Sequence, residues 1–367
     1  MIGQGPAWPP MNIGMRRVVV ISILSALFAG AALRWGAAVP AAALGVGDRL
    51  RQEFPKTDFS RAVVPLESIV SGGPPRDGIR AVDEPRFDPV SQPRLELLAS
   101  DPVIAFVHKG RARAYPLAIL ARHEIVNDTL GDLPVAVTYC PLCNAAIVFR
   151  RVLPDGRVST FGTTGRLRNS DLVMYDRATE TFWQQFTGRG LIGRFAGAHL
   201  ERLPARIMSF ARFRTAHPDG VVLAPPYPWF DYERPPYAGY DQSDRPWFPV
   251  RRLPRTVPPM SLVVSVGDRA WSLDYLRRIG RIETTDGLVL TWRSGARSIF
   301  RAPAAGEQDG PSDVWGDVTV ARITPDGRRE AVAYGLDFAF AFASFHPEAR
   351  IEVGANGAPM SGKKEEQ

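Results

Sequence analysis

The only two cysteines of this chain share one short motif, Tyr139-Cys140-Pro141-Leu142-Cys143. A C-x-x-C pair is where its side chains can do redox or soft-metal chemistry, and three uses compete. With His123 the two thiolates make an S₂N set suited to copper or zinc, and Glu124 orients the ring or adds an oxygen. Without a metal, a Cys-Pro-x-Cys dithiol exchanges with disulfides when a helix N-terminus lowers the first thiol's pKa. In the third use a disulfide shapes a turn beside a pocket, although so small a ring constrains the unfolded chain little. The second CxxC that would make a zinc site specific is absent. Downstream, Ala145-Ala146-Ile147-Val148-Phe149 is β-branched and aromatic and runs into Pro154-Asp155-Gly156. That argues against a thioredoxin-like scaffold, where a long helix follows the dithiol.

A second constellation follows the motif: Arg166, Asn169, Ser170, Asp171, Tyr175, Asp176, Trp183 and Gln184. Read functionally, Glu124, Arg166, Asn169, Asp171, Tyr175, Trp183 and Gln184 line a ligand pocket beside the cysteines, with Trp183 as a stacking wall. Gly162 and Gly165 then give Thr163-Thr164 a tight turn whose N–H groups suit an anion. Read structurally, Asn169 and Asp171 cap turns, Trp183 fills core and Arg166 is solvated. Familiar catalytic patterns are missing: no G-x-S-x-G, no H-E-x-x-H, no Walker A and no Rossmann glycine pattern.

The elements that must position these residues read as short strands between turn residues. Gly and Pro number 33 each, which favours turns over long helices. Residues 103–107 and 111–117 form a hairpin around His108-Lys109-Gly110, followed by a turn or two of helix. Residues 124–128 and 133–139 pair through Leu130-Gly131-Asp132, which brings His123 toward Cys140. Residues 145–152 pair with 157–162 across Pro154-Asp155-Gly156, and 172–176 with 181–186. The best helix covers 209–216. Residues 225–259, rich in Pro, Tyr and Trp, read as an aromatic clasp packed on the body.

Beyond the clasp the opening pattern returns. Residues 262–276 echo 103–120, residues 287–292 echo 133–139, and Ser298-Ile299-Phe300 echoes Ile147-Val148-Phe149. The second copy has Arg293-Ser294-Gly295 where the first has its cysteines, so a shared scaffold does not need them. The expected fold is β-rich α+β: two divergent copies of a small, mainly antiparallel β unit with few short helices, forming sandwich- or barrel-like sheets. The copies span 102–224 and 260–352. A Pro/Gly-rich lead-in covers 44–101 and a disordered tail 353–367.

Arg16-Arg17 ahead of the apolar run 18–33 and the small-residue tract 37–43 read as an export signal or membrane anchor within residues 1–43. This places the protein outside the cytoplasm, in the periplasm or its equivalent. The net charge of +7 is carried by scattered arginines, with only four lysines and no basic block. It reads as a solvated surface, with no nucleic-acid partner.

Several runs resemble one bacterial family: His123-Glu124-Ile125-Val126-Asn127-Asp128, Val137-Thr138-Tyr139-Cys140-Pro141-Leu142-Cys143-Asn144 and Phe161-Gly162-Thr163-Thr164-Gly165. So do Asn169-Ser170-Asp171-Leu172-Val173-Met174-Tyr175-Asp176 and Trp183-Gln184-Gln185. It is the family of domain of unknown function 3179, and the resemblance spans about residues 72–351. It implies an exported or membrane-anchored bacterial protein and supplies no activity. The residues therefore lead to an exported protein with a soft-metal site, copper ahead of zinc, at Cys140, Cys143 and His123, for metal handling or metal-dependent redox. The alternatives are a dithiol oxidoreductase on another fold and a binding module with a structural disulfide.

Overall fold

A computed structural model describes residues 46–301 and 315–354. The export signal or anchor expected at 1–43 and nearly all of the tail lie outside the described residues. Among those described, no helix is long and apolar enough to cross a membrane.

The apolar runs become strands because they can be buried along most of their length. In Pro102–His108 the first five residues are buried, and in Leu133–Cys140 the last six. Such continuous burial fits strands covered on both faces. Tight turns join them: Lys109 and Gly110 both take positive φ (48° and 76°), the geometry of a two-residue type I′ hairpin. Among the described residues helices are short, the longest being the eight residues Val46–Glu53.

The strands of the described residues make five small sheets in a propeller-like arrangement. The first orders Val70–Ser71, Phe161–Arg168, Asp171–Asp176, Phe182–Gln184 and Gly190–Ile192. The second orders Arg202–Leu203, Ala145–Arg150, Leu133–Cys140 and Ile125–Leu130. The third orders Arg206–Ser209, Pro102–His108, Arg111–Pro116, Val221–Leu223 and Phe87–Pro89. The fourth orders Gly335–Phe338, Leu262–Val266, Arg269–Ser272 and Ile351–Glu352. The fifth orders Arg281–Glu283, Leu288–Arg293, Asp317–Ile323 and Arg329–Ala331.

The β-rich character with few helices is therefore as expected, but two sandwich- or barrel-like copies are not what forms. The echo behind that expectation is one of element order, shared by the third and fourth sheets and by the second and fifth. In the third and fourth sheets a hairpin runs into a seven-residue helix, Leu117–His123 or Leu273–Ile279. The first sheet, which carries Asp171, has no such echo in the later sequence. The hairpin expected across Pro154 shrinks to one bridge, Val152 to Val158. Phe161–Arg168 instead pairs with Asp171–Asp176. A non-local contact holds it there, since the Phe161 N–H donates to Asn127 Oδ1 (2.8 Å) and Asn127 Nδ2 donates to Phe161 O (2.8 Å). The pairing of 172–176 with the following strand holds, as Asp171–Asp176 against Phe182–Gln184.

One continuous apolar cluster runs from Val82 through Ile104, Tyr139 and Trp271 to Phe340. Tyr232 and Tyr240 from the aromatic segment belong to it. The segment thus packs on the body.

Candidate metal centre

Strand Leu133–Cys140 delivers Cys140 to its end, where it pairs with Ala145. Two overlapping turns carry the chain between them: the Cys143 N–H donates to Cys140 O (3.1 Å) and the Asn144 N–H to Pro141 O (3.2 Å). Asn144 closes the loop at φ 52°, a left-handed position that asparagine tolerates better than most residues. Its side chain accepts from Tyr139 Oη (2.8 Å) and donates to Leu336 O (2.8 Å). The loop is pinned on both sides, and both sulfurs face Ser170 O, at 4.0 Å for Cys140 and 3.5 Å for Cys143.

The facing element is the hairpin between Phe161–Arg168 and Asp171–Asp176. Arg168 pairs with Asp171, which leaves Asn169 and Ser170 as a two-residue turn with φ 54° and 62°. That is type I′ geometry, at home on asparagine and costly on serine. Ser170 is fully buried and its Oγ has no partner. The strained turn sets Ser170 O against the thiols and Asp171 beside them.

Asp171 Oδ2 accepts from Gln184 Nε2 (2.7 Å) and from the Phe186 N–H (2.9 Å), while Oδ1 is buried without a hydrogen-bond partner. Cys140 Sγ, Cys143 Sγ and an Asp171 carboxylate oxygen all lie within 4.8 Å of one another. Glu124 completes the acidic surroundings. Burial and the charge of Asp171 raise its carboxyl to about 8. Burial raises Asp171 to about 7, pushes the Cys140 thiol up and pushes Cys143 up further. No basic side chain figures among the chief influences on these four groups. Four acidic groups crowded in a dry place favour their protonated forms.

The aromatic segment covers the centre. Tyr240 Oη donates to Leu142 O (3.0 Å), and its ring meets Phe338 edge-on at 5.7 Å. The Arg251 N–H donates to Asn169 Oδ1 (3.1 Å), and the Phe338 N–H to Cys143 O (2.9 Å). Cys140 is 1% exposed, and Cys143 and Asp171 are 0% exposed. Both cysteines are free thiols.

His123, expected as the third ligand, is not in this group. Its Nδ1 meets Arg80 O (2.7 Å) and its Nε2 meets Tyr232 Oη (2.9 Å), so both nitrogens are taken. Helix Leu117–His123 ends there, and Glu124 turns left-handed at φ 58°. Successive side chains therefore diverge: His123 enters a ring of Tyr227, Phe230 and Tyr232, and Glu124 goes to the thiols.

The remaining expected residues split. Gln184 reaches the centre through Asp171, and Asn169 shapes the turn. Arg166 pairs with Glu53 (2.6 Å), and Tyr175 Oη donates to Asp77 Oδ2 (2.5 Å), both away from the thiols. Trp183 is no stacking wall: it is fully buried, with Nε1 on Asp176 Oδ2 (3.0 Å). Sequence reasoning missed Asn144, Tyr240 and Gln185. Gln185 Nε2 ties Thr138 Oγ1 (2.8 Å) to Ala145 O (3.0 Å) across the cysteine hairpin. The available signal was polar residues inside otherwise apolar strand sequence, which burial leaves needing partners.

No curated protein and no solved structure matches this chain. The family described as "Protein of unknown function (DUF3179)" matches residues 76–349, and on that match the chain belongs to the DUF3179 family.

Proposed function

We propose that this protein holds a thiophilic divalent cation, zinc in preference to copper, with Cys140, Cys143 and Asp171 as ligands. The observation that carries the reading is Asp171 Oδ1, buried without a partner on a carboxylate grouped with two free thiols. Zinc accepts mixed sulfur and carboxylate ligands, whereas Cu(I) favours all-soft sets. Disulfide exchange is the weaker reading. Burial pushes both thiols up, away from the reactive thiolate, and no helix N-terminus follows Cys143 to reverse that. The export reading of residues 1–43 sets the place of action outside the cytoplasm, which cell fractionation of the full chain tests.

The deciding experiment is metal analysis of purified protein, followed by zinc titration of the chelator-treated form. One zinc per chain, lost in Cys140→Ser, supports the proposal. Metal below about a tenth of an equivalent, with no rise in Tm at zinc concentrations near 100 times a micromolar Kd, refutes it.

A further inference from the structure

A second site lies among residues that the metal centre does not use. A groove of about 620 Å³ opens between the third, second and fifth sheets. That is the size of a small organic ligand's site. Five arginines line it, Arg206, Arg212, Arg281, Arg293 and Arg329, against one carboxylate, Glu330. In sequence these arginines are scattered over more than a hundred residues, and only the fold gathers them.

Strand pairing explains the gathering. On the fifth sheet Arg281 pairs with Thr291, and Thr291 with Thr319, forming one row across three strands. Arg293 lies two residues beyond Thr291 and so on the same face. The opposite wall is made where Arg206 pairs with Ala105. The threonines add hydroxyls at the base, and Leu133 and Val320 add an apolar surface.

The positive charge there is only partly answered. Arg281 pairs with Glu283 (2.6 Å), and Arg212 stands 3.9 Å from Asp317. Among the described residues no carboxylate lies within ion-pairing distance of Arg206, Arg293 or Arg329. Arg293 sits opposite Asp317 and Arg329 opposite Ile323, six residues along one strand, so the like charges are spread along the groove and an extended anion answers them with its charged groups. Guanidinium forks bind phosphate and carboxylate oxygens two at a time.

We infer that this groove binds a small polyanion whose phosphate or carboxylate groups are held by Arg206, Arg293 and Arg329. The threonine row receives its neutral hydroxyl-bearing or polar part. This site is independent of the metal proposal.

The test is calorimetric titration of the full chain at about 0.1 M ionic strength, where the screening length is about 10 Å, with two probes, inorganic tripolyphosphate and citrate. At least one is expected to bind with one-to-one stoichiometry, and which one binds separates phosphate from carboxylate chemistry. The double variant Arg293→Ala/Arg329→Ala should weaken that binding roughly tenfold or more, since each removes a charge-assisted contact. Both side chains are exposed, so an unchanged Tm is expected to show that the fold is kept. The control Arg61→Ala/Arg245→Ala removes two exposed charges outside the groove and should leave affinity within about twofold, as scattered surface charge is largely screened. Failure of both probes to bind overturns the inference. So does an equal loss in the control, which would mean attraction to net charge alone.

Discussion

Replacing Asp171 by asparagine separates a residue kept for a cation from one kept for architecture, because the two roles predict opposite signs. Burial raises this carboxyl from 3.8 to about 7. The folded state therefore disfavours its ionised form. The penalty is absent below the unfolded value near pH 4, grows as pH rises toward 7 and is constant above. At pH 8 it amounts to on the order of 4 kcal/mol at most, at about 1.4 kcal/mol per pH unit of displacement. Asparagine is nearly the same shape and keeps an oxygen for the Gln184 and Phe186 N–H donors. The metal-free Asp171→Asn protein should thus melt several degrees above metal-free wild type at pH 8, using about 2–4 °C per kcal/mol for a domain of this size. Near pH 4.5 the gain should vanish. Zinc, by contrast, loses its anionic oxygen ligand, so the zinc-dependent rise in Tm should shrink or disappear. Melting of chelator-treated protein at both pH values, with and without zinc, reads all four quantities. A variant that melts lower than wild type at both pH values and still responds fully to zinc would refute the reasoning.

Glu124, raised to about 8, should make metal-free wild type lose stability steadily from pH 5 to pH 8, and Glu124→Gln should flatten the upper part of that slope in a pH series of melts. His123→Leu cuts the contacts to Arg80 O and Tyr232 Oη and should cost about 1–3 kcal/mol of stability. Its zinc content should stay at the wild-type level; a lost metal would restore the histidine as a ligand. Gly165 sits at φ 68°, where an added Cβ would run into Pro74 O. Gly165→Ala should destabilise by about 3 kcal/mol or more, seen as a lower midpoint in urea.

The parts of the fold legible in sequence are those whose cause is local. Lys109-Gly110 marks a hairpin because both residues must take positive φ, and the apolar run before Cys140 marks a strand because it is buried to its end. The helix expected at 209–216 forms as Phe210–Ala216, with Ser209 as its cap, whose Oγ accepts from the Arg212 N–H (3.4 Å). What stayed hidden depends on distant partners. The turn at Pro154-Asp155-Gly156 looks like a hairpin, yet Asn127 draws Phe161 into another sheet. Adjacent His123 and Glu124 look like a ligand pair, yet one left-handed residue separates their directions. Asp171 was singled out as part of a polar cluster and not as a ligand. Its place depends on Asn169 and Ser170 both turning left-handed, and nothing in the serine announces that.

The closure of the centre bears on what a bound metal does. A structural zinc site takes four protein ligands, whereas three leave a position open; with Cys140, Cys143 and Asp171 the count is three, so what closes this centre is its cover. Here both sulfurs and Asp171 are at most 1% exposed, and Tyr240, itself fully buried, lies over the cysteine loop. Two polar links join the covering segment to the ligand-bearing turns, Tyr240 Oη to Leu142 O and the Arg251 N–H to Asn169 Oδ1. Each is worth about 1 kcal/mol net, so the resistance to opening resides mainly in the aromatic packing of Tyr240 on Phe300 and Phe338. On the proposed reading, entry and loss of metal would require release of residues 225–259.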